Sequence, residues 1–335
     1  MRFILICSLF FTILSTAQSD NTSAFKEYYP ISVRPELSAG VGNNEYEQIL
    51  LEAKPTVYYG IYNDLRSALN KDTITTGDAV YLTFQPEFRI YDEESRPVKT
   101  PSYKLLIGWQ KILKTNSDNF LTAAIETGHY SNGQSQSAFS TELEDDSPES
   151  RALYDTFTDD TDLAALLNRE TGNFSTNLTR LSLNYRLNTF NDQNIPQRIH
   201  SFTATYQLYH DKFLGFADFG GYNEEDIDIY GRNRIELGYE YTSQLKTLRY
   251  TISQHVLYHF NSHPSSVPLR SESRLLVYPF ENDFGFMAQL STGRDDYNYR
   301  FLDSFTRFSV GITWDWFTPF VVKPTRQQLP DLPNK

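Results

Sequence analysis

The stretch Ile125-Glu126-Thr127-Gly128-His129-Tyr130-Ser131-Asn132-Gly133-Gln134 closes a run, Asn119 to Ser131, whose side chains alternate in character with a period of two. Successive side chains of a strand point to opposite faces, so Leu121, Ala123, Ile125, Thr127, His129 and Ser131 share one face. That face is apolar until its end, where an imidazole and a hydroxyl stand side by side. Asn132-Gly133 then predicts a turn. A base beside a hydroxyl on an apolar face is an odd surface, although Ser-Asn-Gly is also a common turn and a histidine at a membrane interface is ordinary.

The same alternation recurs along the chain. It predicts strands over 56–63, 78–91, 103–113, 119–131, 174–187, 199–210, 234–241, 246–260, 269–280, 284–292 and 305–316. In the last, Phe308, Val310, Ile312, Trp314 and Trp316 form one row, and the two tryptophans read as interface anchors. One further strand within residues 30–53 would bring the count to twelve. The sequence carries 23 Tyr and 24 Phe yet has negative mean hydropathy. No stretch after the N-terminal segment approaches the ~18 apolar residues of a membrane helix. A transmembrane antiparallel β-barrel reconciles these facts, because its strands are apolar on one face only and aromatics ring both interfaces. The expected fold is therefore an all-β barrel of about twelve strands, with ten as the fallback since single-chain bacterial barrels have even counts.

Outside the barrel the chain divides simply. Residues 1–17 read as a secretory signal peptide: Met1-Arg2, an apolar run from Phe3 to Leu14, then Ser15-Thr16-Ala17. The single cysteine, Cys7, lies within it, which leaves the remainder without disulfide or thiol chemistry. Residues 18–54 read as an N-terminal leader or periplasmic segment with one or two short strands, 55–318 as the barrel, and 319–335 as a polar periplasmic tail. Residues 134–172 interrupt the rhythm with a long acidic extracellular loop. Its carboxylates read as solvated, or alternatively as ligands for divalent cations. A formal charge of −12 argues against a nucleic-acid partner.

His129 and Ser131 end the strand entering this loop, and Asn177 begins the strand leaving it. If the two strands pair, all three sit at one end of the barrel and face lipid; their register is not fixed by the sequence. The chemistry of that set is ester hydrolysis. His129 would act as general base on Ser131, Asn177 would hold the imidazole, and the Gly133 N–H would donate to the oxyanion. An amide suits this place, since a fixed charge facing lipid costs ~2–4 kcal/mol at mid-depth.

The segment from His129 to Ser135 resembles the His-x-Ser-Asn-Gly-x-Ser segment of the outer-membrane phospholipase A family (phospholipase A1) of Gram-negative bacteria. Ser175-Thr176-Asn177 is similar to its Ser-x-Asn segment. Tyr278-Pro279, Ser291-Thr292-Gly293, Asp296-Tyr297-Asn298 and Phe308-Ser309-Val310-Gly311 look like its C-terminal hairpin. The resemblance spans roughly residues 50–317. It implies a twelve-stranded barrel in the Gram-negative outer membrane that hydrolyses acyl esters of membrane phospholipids, with His129, Ser131 and Asn177 as the triad. It also implies calcium beside the serine, held by the Gln134 carbonyl and the residue at 173, and activation as a homodimer. Here that residue is Asn173 where the family has serine, and the loop between the motifs is longer. Two other readings stand beside this one: a non-catalytic porin or adhesin barrel that keeps the motif as a turn, and a lipopolysaccharide deacylase.

Overall fold

The computed structural model describes residues 27–315 apart from 44–45, 70–72, 95–97, 116–117, 191–195, 223, 246 and 280–282. The signal peptide at 1–17, Trp316 and the tail at 319–335 lie outside the described residues. Thirteen strand segments make one antiparallel sheet: β1 (Glu36–Asn43), β2 (Ile49–Lys54), β3 (Val57–Asn63), β4 (Thr75–Tyr91), β5 (Ser102–Lys114), β6 (Phe120–Ser131), β7 (Ser175–Phe190), β8 (Pro196–His210), β9 (Asn233–Leu245), β10 (Leu248–Phe260), β11 (Leu269–Tyr278), β12 (Phe284–Arg294) and β13 (Ser304–Trp314). Each pairs with its neighbour in the chain from β3 to β13, and β1 pairs with β13.

β2 and β3 lie end to end against β4: Ala53 pairs with Phe88 and Val57 with Phe84. Pro55, which has no N–H for the ladder, falls in the gap between them. They are one broken strand of the wall, so the barrel is closed and twelve-stranded, as expected. The boundary expected at Pro55 moves, because β1 and β2 are wall and not leader. The pattern in β1 is faint since Ser38, Ala39, Gly40 and Gly42 give its two faces little contrast.

The two faces differ as a membrane barrel requires. On β7, Leu181 is 49% exposed and Leu183 54%, while Ser182, Asn184 and Arg186 between them are buried in the lumen. The lumen is lined by charge pairs, among them Arg180–Glu126 at 3.3 Å and Arg34–Glu240 at 2.8 Å. Residues 28–34 cross one end of the lumen. Arg186 donates to the Tyr28 hydroxyl and the Pro30 carbonyl, both at 2.7 Å, and the Gln110 amide bonds the Ile31 backbone in both directions. What remains inside is a cavity of about 360 Å³ with charged walls. Among the described residues no helix is long and apolar enough to cross a membrane.

The acidic insert, expected to be a solvated loop, folds back over the opposite mouth. In its helix α1 (Pro148–Tyr154) Glu149 is exposed, while helix α2 (Leu163–Leu166) buries Leu163 and Ala164. Ala138, Phe139, Leu163, Leu167 and Phe174 pack with the inward-facing Tyr130, Leu178 and Tyr209 and with Phe301 of a 3-10 turn (Asn298–Leu302). Each large apolar side chain buried this way contributes ~1.5–3 kcal/mol. No period announces this cap, because its apolar residues are spread over short turns.

Candidate functional site

The β6–β7 register is Ser131↔Ser175, His129↔Asn177 and Thr127↔Thr179, and β8 continues the row with Asn177↔His210. His129, Ser131 and Asn177 thus stand on the outward face at the capped end of the wall. His129 and Asn177 are directly opposite one another, which a side-chain period of two in both strands allows but does not dictate.

The pair is bonded: His129 Nδ1 lies 3.3 Å from Asn177 Oδ1. The roles follow from Asn177's other contacts. Its Nδ2 donates to the Asp211 carbonyl at 2.5 Å and the Phe219 carbonyl at 2.7 Å. Those partners only accept, so the amide nitrogen must face them and the oxygen must face the ring. An oxygen acceptor makes Nδ1 the protonated ring nitrogen and leaves the Nε2 lone pair as the basic site. The loop between β8 and β9 that supplies both carbonyls also covers the ring: Phe219 sits 5.0 Å from the imidazole, centroid to centroid. Gly220 lies so close, at φ +54°, that a Cβ there would be 2.2 Å from His129 Cε1.

Ser131 occupies the next outward position along β6. Among the described residues no hydrogen bond joins its hydroxyl to His129, a looseness common in sites without substrate. Beyond it, Asn132 is buried and acts as a staple. Its Nδ2 donates to the Gly172 carbonyl at 2.7 Å, and its Oδ1 accepts from the backbone N–H of Gln134 at 3.2 Å and of Phe174 at 3.0 Å. This ties the end of β6 to the start of β7. Gly133 follows with φ +68° and open space where a Cβ would be. That left-handed turn is where glycine is needed.

Of the expected metal ligands, Asn173 donates through Nδ2 to Asp145 Oδ2 at 2.6 Å, and its backbone N–H bonds the Gln136 carbonyl at 2.7 Å. Burial raises the Asp145 carboxyl above its ordinary value, and Asn173 acts in the opposite sense. Among the described residues no group of three or more His, Cys, Asp or Glu side chains gathers to hold a metal. The donors near position 173 are an amide oxygen, one carboxylate and backbone carbonyls, all of the hard oxygen class that calcium accepts.

Sequence reasoning missed Asp211, Phe219 and Gly220, because backbone carbonyls and a close approach leave no pattern. The signal available was the apolar loop Phe213-Leu-Gly-Phe-Ala-Asp-Phe-Gly-Gly221, which is out of place between two strands of a polar chain.

No family model matches this chain, and no curated protein matches it. Solved structures do. The outer membrane phospholipase A of Escherichia coli is similar at 11% identity and TM-score 0.48, covering 86% of this chain and 94% of that one. The Salmonella typhi outer membrane phospholipase, a dimer with bound calcium, is similar at 11% identity and TM-score 0.48, over 89% of this chain and 99% of that one. LpxR from Salmonella typhimurium follows at 9% identity and TM-score 0.34, over 83% and 99%.

Proposed function

We propose that this protein is an outer-membrane ester hydrolase acting on the acyl esters of membrane phospholipids. The observation that carries the reading is the bond between His129 and Asn177, with the amide locked so that His129 Nε2 is free to act as a base beside Ser131. In this reading His129 takes the Ser131 proton as Oγ attacks the ester carbonyl. The imidazolium then gives that proton to the departing glyceryl oxygen, leaving an acyl-serine. Water, deprotonated by His129, attacks the acyl-serine, and the fatty acid leaves as Ser131 recovers its proton. In this reading the Gly133 N–H, on a turn with φ +68° one residue beyond Asn132, donates to the oxyanion.

Calcium fits the donor chemistry of the Asn173 side chain, the Asp145 carboxylate and the Gln134 carbonyl. When bound it would add positive charge near the developing oxyanion. The partners of this reading are outer-membrane phospholipid and a second copy of the chain. A porin function needs an open lumen, whereas charge pairs line this one and residues 28–34 cross one end of it, leaving a cavity of about 360 Å³. A deacylase of the other expected kind would orient its histidine with a carboxylate, where this chain has an amide.

The test is phospholipid hydrolysis in mixed detergent micelles by the wild type and by Ser131→Ala. Fatty-acid release is expected to vanish in the variant while the barrel keeps its heat-modifiable migration; equal release by both proteins rejects the reading. Chelator is expected to lower the wild-type rate, and calcium to restore it. Because Asp145 holds its proton to a higher pH than an ordinary carboxylate, calcium affinity should fall as pH drops through that raised value. The sign for the calcium-free protein is opposite: burying the charged form is what costs, so stability rises as Asp145 is protonated.

A further inference from the structure

On the midplane side of the His129–Asn177 row, the outward wall carries a groove of about 480 Å³. Ile125, Thr127, Thr179 and Leu208 form its floor, and Leu214 and Gly215 of the β8–β9 loop form its far bank. The floor is less polar than its residue types suggest. The Thr127 hydroxyl donates to the Leu178 carbonyl at 3.1 Å and meets Thr179 Oγ1 at 3.0 Å. Thr179 Oγ1 in turn lies 3.0 Å from His210 Nε2, and His210 Nδ1 donates to the Lys212 carbonyl at 2.8 Å. With their polar atoms bonded among themselves, the threonines have methyl groups left to offer. The loop on the far bank is built for an apolar medium: Leu214 is 42% exposed, Phe216 77% and Phe219 59%. The charged rim contains Lys212, neutralised by Asp211 and Asp218, and the exposed Arg232, whose Nε is bonded to the Tyr209 carbonyl at 3.1 Å.

We propose that this groove seats the distal part of one long acyl chain of a membrane lipid whose ester lies at Ser131, and that the β8–β9 loop thereby sets chain-length preference. The proposal rests on the hydrolase reading above. Thr127 is four residues from Ser131 along β6, ~14 Å at strand spacing, in the direction of the bilayer midplane. A chain must therefore be long to reach the groove, and short chains gain nothing from it. The rim is polar, with Lys212, Asp211, Asp218 and Arg232, while the floor is apolar, so the occupant is an amphiphilic membrane phospholipid and not a free alkane.

The experiment uses the full-length protein, with phosphatidylglycerols carrying C8, C12 or C16 chains in mixed micelles. Leu208→Trp fills the groove without touching His129, Ser131 or Asn177. The wild type is expected to prefer C16 over C8. Leu208→Trp should lower C16 hydrolysis about tenfold, the scale of losing a few methylene contacts in an apolar pocket, and leave C8 hydrolysis unchanged. Ser131-dependent hydrolysis with an unmoved C16/C8 ratio overturns the seat and leaves the hydrolase reading standing; hydrolysis that survives Ser131→Ala sinks the hydrolase reading instead. A readout without turnover keeps the two apart: Ser131→Ala should retain C16 phosphatidylglycerol through detergent exchange, and Ser131→Ala with Leu208→Trp should release it. Equal retention by the two overturns the seat.

Discussion

At the scale of single residues, the site depends on two asparagines with different work. Asn177 is outward-facing yet fully buried, because the β8–β9 loop lies over it. Its identity was readable from the motif; its tautomer-setting orientation was not, since that comes from carbonyls 34 and 42 residues away. Asn132 was read only as a turn residue. It proves to satisfy three backbone groups at once, two of them donors at the mouth of the insert. Asn132→Ala should leave these buried groups without partners, at ~1–3 kcal/mol for each that water cannot reach. The expected outcome is slower hydrolysis through a displaced Gly133 turn, with little change in substrate KM. Proteolysis at the insert, compared between wild type and variant, reads the loosening directly.

At the scale of elements, the β8–β9 loop is the part of the site that neither motif announces. It is connected to the His129–Asn177 row by bonds from its backbone carbonyls and by contact with a ring. Gly220 is where that contact leaves least room: its left-handed φ and the 2.2 Å approach to His129 exclude a side chain. Gly220→Ala should push the imidazole off Asn177 or lift the loop. Either result lowers hydrolysis by the ~10²–10⁴-fold typical of a lost general base, with the barrel intact. Wild-type activity in a folded Gly220→Ala protein would show that the loop does not hold the histidine. The cap on the lumen makes the companion case. The acidic insert offers a charged surface in sequence, but its sparse Phe139, Leu163 and Leu167 enter a core shared with the 3-10 turn between β12 and β13.

At the scale of the whole molecule, the barrel is closed by β1 pairing with β13 and its lumen is lined by ion pairs. Glu126 and Arg180 face each other across paired strands, with the Tyr81 hydroxyl also donating to Glu126 at 3.0 Å. Arg180→Leu leaves that carboxylate buried without its cation, and breaking a buried pair from one side costs ~3–5 kcal/mol. The variant should lose its compact electrophoretic form at a lower temperature than wild type. Glu126→Gln with Arg180→Leu should recover part of the loss, because no charge is then stranded.

The sequence by itself determined the alternation, and with it a run of strands apolar on one face and the outward face shared by His129, Ser131 and Asn177. These follow from a period of two, a local property of a strand. Tertiary structure decided the register that sets His129 opposite Asn177, the loop that fixes the amide, the merging of β2 and β3 into one strand and the folding of the acidic insert into a cap. Each of those depends on contacts between segments distant in the chain, whose energies come from backbone carbonyls, close approaches and scattered apolar side chains that carry no local period.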